Sequence, residues 1–134
     1  MREILFRGKR IGNGEWVFGD FCNYNDTAHI KNKHDLFYGV IPETVGQYTG
    51  LTDKNGTKIF EGDILAIKFY HKYVERISWE GRPDAIAKVF WDLNAFRLRA
   101  KNDVDIRYAD FCDICYEETE VIGNIHDNPE LLHT

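Results

Sequence analysis

The sequence predicts a mainly β protein. Apolar residues alternate over short runs, Gly and Asn bound those runs, and helical spacing is confined to one short stretch. The chain has 134 residues, which suits one globular unit or two small subdomains sharing a core. A chain of this length buries roughly two-thirds of the surface its unfolded form exposes, so it needs no disulfide or metal to fold. With 14% aromatic and 29% charged residues it is not a wholly disordered chain. The expected layout is a β-hairpin region over residues 1–50 and a small SH3-like barrel over residues 51–134, packed as one compact unit.

The elements follow in order. Residues 2–6 read as a strand with Ile4 and Phe6 on one face. Residues 9–14 are a loop ending in Asn13-Gly14, a pair that tolerates positive φ and closes tight hairpins. Residues 15–21 form the next strand, with Trp16, Val17 and Phe18 filling a sheet face. Residues 23–35 are rich in Asn, Asp and Lys and read as a loop. Residues 36–41 form a strand stopped by Pro42, which has no N–H to give a ladder. Residues 44–51 form another.

Asp53-Lys54-Asn55-Gly56 is a turn, expected as a type I′ hairpin. Strands follow over 57–60 and 63–70, with Gly62 as a bulge or bend between them. Residues 13–20 echo residues 55–63, as if one device of Asn-Gly turn, strand and Gly-Asp bend were used twice. Residues 71–84 are a polar excursion. Residues 85–91 and 95–99 pair across the turn Trp91-Asp92-Leu93-Asn94. Val104, Tyr108, Phe111, Cys112 and Cys115 recur at helical spacing and predict a short helix near 107–116. Residues 120–126 return to strand, and Asp127-Asn128-Pro129 resembles a cap opening a final turn.

Composition bounds the compartment and the partners. No apolar run approaches the ~20 residues of a membrane-spanning helix. The N-terminal apolar stretch is too short for a signal peptide and is broken by charge. Three cysteines is an odd count, so reduced thiols in the cytoplasm are expected. The net charge of −5 is uneven: residues 103–134 hold nine acids and one base, and their −8 leaves +3 for the rest. A net acidic chain lacks the basic footprint typical of nucleic-acid binding. The acidic stretch is either a solvated face or a surface for a basic partner. Residues 1–10 carry +3, so head-to-tail self-association is one way to satisfy it. A protein partner or a second copy is the expected partner, nucleic acid is an alternative, and a membrane is not expected.

Three groups of residues are candidates for chemistry. Cys112 and Cys115 form a C-x-x-C, but zinc needs two further ligands, and Cys22, His126 and His133 supply no matching pair. The thiols are therefore read as packing residues, with no metal or cofactor expected. Glu61 and Asp63, with Asp53 on the preceding turn, could hold a divalent cation for a metal-assisted hydrolase. The competing reading is that Asp63 accepts hydrogen bonds from the amides of the bend. Tyr70, Tyr73 and Trp79 lie among Lys68, Lys72, Arg76 and Arg82, a composition that stacks bases and attracts phosphates. No phosphate-binding loop, nucleophile elbow, zinc-protease or dinucleotide motif is present.

Several blocks resemble YopX-type proteins. They are Arg2-Glu3-Ile4 with Phe6-Arg7-Gly8-Lys9, then Gly14-Glu15-Trp16-Val17-Phe18-Gly19-Asp20, then Glu43-Thr44-Val45-Gly46-Gln47-Tyr48-Thr49-Gly50-Leu51 with Asp53-Lys54-Asn55-Gly56. Ile59-Phe60-Glu61-Gly62-Asp63-Ile64 and Glu120-Val121-Ile122-Gly123-Asn124-Ile125, closed by Asn128-Pro129-Glu130-Leu131-Leu132, complete the set in the family's order. The resemblance implies a bacteriophage or prophage protein with a mostly β fold. The family has no established activity, so it supplies no catalytic residues. The candidate binding residues are Gln47, Thr49, Asp53, Glu61, Asp63 and Trp79. The expected function is a non-catalytic binding or assembly module, with a nucleic-acid-binding barrel and the hydrolase as alternatives.

Overall fold

The computed structural model describes residues 3–67, 85–92, 95–100 and 119–132. It is mainly β, all strand pairs given a register are antiparallel, and the chain divides into two units, Met1–Leu51 and Thr52–Thr134. Among the described residues no helix is long and apolar enough to cross a membrane.

The first unit contains β1 (Phe6–Lys9), β2 (Trp16–Tyr24), β3 (Thr27–Lys31), β4 (Phe37–Gly39), a 3-10 turn at Pro42–Thr44, and β5 (Gly46–Thr52), which ends just past the boundary. Its strand order is β4-β3-β2-β1-β5. Paired residues share a face, because side chains alternate along each strand. Phe6 opposite Gly19, Gly8 opposite Val17, Phe21 opposite Ile30 and Asn23 opposite Ala28 therefore define one face. That face holds the core: Ala28, Ile30 and Val40 are buried, with Phe6, Val17 and Val45 packed against them.

The sheet curls around this core. Arg10 bridges Val40, the Ile11 N–H donates to the Gly39 carbonyl at 3.0 Å, and the Ile41 N–H donates to the Lys9 carbonyl at 2.9 Å. The curl needs two glycines. A Cβ on Gly8 would lie 3.0 Å from the Val40 Cβ, and one on Gly19 would lie 1.9 Å from the Lys31 carbonyl oxygen.

Two expectations for this unit change. The first strand begins at Phe6 rather than Arg2, and Ile4 is exposed. Apolar alternation fades after Phe6, yet Gly8 must lie in the strand because its bare backbone seats Val40. The loop expected over 23–35 contains β3. Its turn is Asn25-Asp26, with φ of 51° and 60°, the pair of left-handed residues that a type I′ hairpin requires. Polar composition there conceals an alternation that buries Ala28 and Ile30.

The second unit contains β6 (Lys58–Phe60), β7 (Asp63–Ile67), β8 (Ala85–Asp92), β9 (Ala95–Ala100), β10 (Glu120–Asn124) and a 3-10 turn at Pro129–Leu132. Among the described residues, Ile59, Phe60, Ile64, Leu65, Ala87 and Val89 are buried. Four strands form an open sheet in the order β10-β7-β8-β9. The described strands make two sheets and no closed barrel, so an SH3-like closure is not seen among them.

The turn at residues 53–56 is present but of another type. The Gly56 N–H donates to the Asp53 carbonyl at 3.0 Å, and within the turn only Gly56 has positive φ, at 80°. That is a type I turn completed by a left-handed glycine, not type I′. The bend at Gly62 is also present, with φ of 93°. Its N–H donates to the Val89 carbonyl and its own carbonyl accepts from the Ile125 N–H, so this one residue ties β8 and the end of β10 to the start of β7. The β8–β9 hairpin is present as expected, but Trp91 and Asp92, expected in the turn, pair with Phe96 and Ala95 inside the strands. The helix near 107–116 with Cys112 and Cys115, the excursion over 71–84 and the turn residues Leu93 and Asn94 lie outside the described residues.

Candidate functional site

The core occupies the inner face of the first sheet, so the register places the alternate residues on its outer face. Lys9 lies opposite Trp16 and Arg7 opposite Phe18. Asp20, Lys31 and Phe37 form one row across three strands, and Cys22, His29 and Gly39 form the next. The Arg7 guanidinium lies 4.6 Å from the centre of the Trp16 ring and the Lys9 ammonium 5.8 Å from it, both within cation–π range. Tyr24 meets the His29 ring edge-on at 5.9 Å. The His29 Nδ1–H donates to the Thr27 carbonyl at 2.9 Å, which fixes the ring.

Gly39 makes a shallow gap in this surface. Its missing Cβ would sit 3.6 Å from Ile11 Cδ1 and 3.8 Å from His29 Nε2. Ile11, Tyr24 and Phe37 are 60%, 64% and 57% exposed, and Phe18 is 45% exposed. Covering the exposed half of one such side chain is worth on the order of 1 kcal/mol. Lys31 pairs with Asp35 at 3.5 Å, an exposed contact of little energetic weight. The face thus combines apolar area and aromatic edges with two cations held against Trp16, Arg7 buried and Lys9 half-buried.

The candidate residues from the sequence behave differently. Asp53 is buried, and both its oxygens are engaged. Oδ1 accepts from the amides of Asn55 at 2.8 Å and Thr57 at 2.9 Å, and Oδ2 from Val121 at 2.9 Å, 68 residues along the chain. Burial pushes its pKa up, but the amides of Val121, Thr57 and Asn55, helped by Lys54, outweigh that and hold it below the ordinary value of 3.8. Asp63 is also buried, and its Oδ2 accepts from the Phe60 amide at 2.7 Å across the bend. Glu61 is half-buried beside it. Asp53 and Asp63 are therefore acceptors that hold backbone, as the competing reading of Asp63 anticipated. Among the described residues no group of three or more His, Cys, Asp or Glu is placed to hold a metal ion.

Thr49 is 1% exposed and its Oγ1 accepts from the Leu51 amide at 3.2 Å, so it presents nothing to a ligand. Gln47 lies in β5 opposite Phe6 and is half-buried. Trp79 and the basic–aromatic group over residues 68–82 lie outside the described residues. The sequence alone does not reveal the outer face, because the polar composition around β3 equally suits a loop. Its signal was Phe18, Asp20, Cys22 and Tyr24 alternating through β2.

Comparison with known proteins agrees with the fold. The crystal structure of protein EF1440 from Enterococcus faecalis matches with a TM-score of 0.55 and 23% identity, covering 99% of this chain and 100% of that one. At that identity the likeness shows the fold alone. No curated protein matches. The model of the YopX protein family matches residues 5–133. That match spans nearly the whole chain, and the chain belongs to the YopX family.

Proposed function

We propose that the chain is a non-catalytic binding or assembly module of phage or prophage origin, acting in the cytoplasm, with the outer face of β2, β3 and β4 as its contact surface. The observation that carries this is the group of Ile11, Tyr24 and Phe37, each more than half exposed, around the gap at Gly39. Contiguous exposed apolar area on a folded unit marks interaction sites. Aromatic residues such as Tyr24 and Phe37 are also enriched at contact surfaces. The engagement of Asp53 and Asp63 with backbone amides supports the same reading, since neither is held ready for a substrate or cation.

Affinity capture from host-cell extract tests it. Wild type is compared with the double variant Ile11→Ser, Phe37→Ser. Both positions are exposed, so the variant keeps the wild-type melting temperature and loses the captured partners. Retention of the same partners by the folded variant would remove the outer face from the function.

A further inference from the structure

An asparagine followed by glycine is the pair in which a main-chain nitrogen reaches the preceding side chain most easily, because glycine puts no Cβ beside that nitrogen. The chain has two such pairs, Asn13-Gly14 and Asn55-Gly56, and both are exposed. In each the attacking nitrogen starts engaged: the Gly14 N–H donates to the Arg10 carbonyl and the Gly56 N–H to the Asp53 carbonyl, both at 3.0 Å. Their surroundings separate them. The Asn13 Oδ1 accepts from the Glu15 N–H at 3.0 Å, so its carboxamide is folded back over the Gly14 peptide. That N–H meets the oxygen on which charge develops when a nucleophile adds to Cγ, as the donors of an oxyanion hole do. A side chain already placed against its nucleophile also has less freedom to lose on reaction. A Cβ on Gly12 or Gly14 would meet nothing within 4 Å, and among the described residues no buried side chain accepts from the amides of residues 11–14. At the other pair, the buried Asp53 carboxylate takes the amides on either side of Gly56, those of Asn55 and Thr57. Those bonds oppose the local opening that attack by the Gly56 nitrogen requires. Among the described residues no hydrogen bond holds the Asn55 carboxamide over Gly56.

We propose that Asn13 is a site of spontaneous deamidation and that Asp53 protects the otherwise equivalent Asn55. The Gly14 nitrogen gives its proton to hydroxide and bonds to the Asn13 Cγ. The Cγ–Nδ2 bond breaks, and the carboxamide nitrogen takes a proton from water and leaves as ammonia. Water then opens the cyclic imide at one carbonyl or the other, giving aspartate or its β-linked isomer with no change of oxidation state. The aspartate product keeps an acceptor for the Glu15 amide. The β-linked product adds a carbon to the main chain of the loop between β1 and β2.

Peptide mapping by mass spectrometry tests it, on the folded chain and on the same chain in denaturant, both held at the same mildly alkaline pH. Unfolded, the two Asn-Gly pairs lose ammonia at similar rates. The expected result is that folding slows the loss at Asn55 several-fold and does not slow it at Asn13, so that Asn13 changes first in the folded chain. Asp53→Ala removes the acceptor for the Asn55 and Thr57 amides, raises the rate at Asn55 toward its unfolded value and leaves the rate at Asn13 as it was. Equal slowing of the two pairs by folding overturns the proposal, as does faster loss at Asn55 than at Asn13 in the folded chain. An unmoved rate at Asn55 in a folded Asp53→Ala variant overturns the protecting role of Asp53. The comparison of folded and denatured wild type needs no variant, so misfolding of Asp53→Ala does not decide the result.

Discussion

Asp53 ties its own turn to β10. One carboxylate receives three backbone amides, two from its own turn and one from β10. An asparagine there keeps one good acceptor oxygen and turns the other into a donor facing the Val121 N–H. Asp53→Asn therefore costs about 1–3 kcal/mol, the penalty of a buried donor left without its acceptor, read from denaturant unfolding. The pH dependence has a definite sign. The folded-state pKa lies below 3.8, so Asp53 stabilises the fold fully above that value and the contribution is lost as pH falls through the folded pKa. Melting temperatures between neutral pH and about pH 3 should fall less steeply in Asp53→Asn than in wild type. An identical acid limb would mean that the carboxylate is not held by these amides.

Glycine sets the same scale elsewhere. Gly56 has φ of 80°, and a Cβ there would meet nothing within 4 Å. Gly56→Ala then costs only the left-handed backbone penalty, about 1 kcal/mol. Gly56→Asn costs less, because Asn tolerates that conformation. Equal losses for the two variants in denaturant unfolding would contradict the turn assigned here.

Elements were legible where a turn residue and a clean apolar alternation coincided. The β8–β9 pairing, the bend at Gly62 and the stop at Pro42 could all be read in advance, since each depends on one residue's backbone chemistry. The turn at Asn25-Asp26 could not, because its letters also suit a solvated loop and only the flanking Ala28 and Ile30 mark a strand. This hairpin carries its own prediction. Asp26 sits at φ of 60°, where a side chain is disfavoured, so Asp26→Gly should stabilise the first unit by about 0.5–1 kcal/mol. A loss of stability in thermal melts would mean that the Asp26 side chain, not the turn geometry, holds the hairpin. Among the candidate site residues, the role of Asp63 could be foreseen from its place beside a glycine bend. The outer face could not, because it exists only once β3 is paired between β2 and β4.

At the scale of the molecule, each unit buries a core of its own. Ala28, Ile30 and Val40 serve the first, and Ile59, Ile64, Leu65 and Val89 serve the second. The aromatic and aliphatic side chains left outside the first core are what single this face out, and membership of the YopX family adds a fold without adding an activity. The most direct test is side-chain oxidative footprinting of Tyr24 and Phe37, in the purified chain alone and after incubation with the partner that the proposed function calls for, captured from host-cell extract. The account predicts that both rings are modified readily in the purified chain and protected in the complex, while Ile4 is modified equally in the two. Equal modification of Tyr24 and Phe37 in both samples would contradict it.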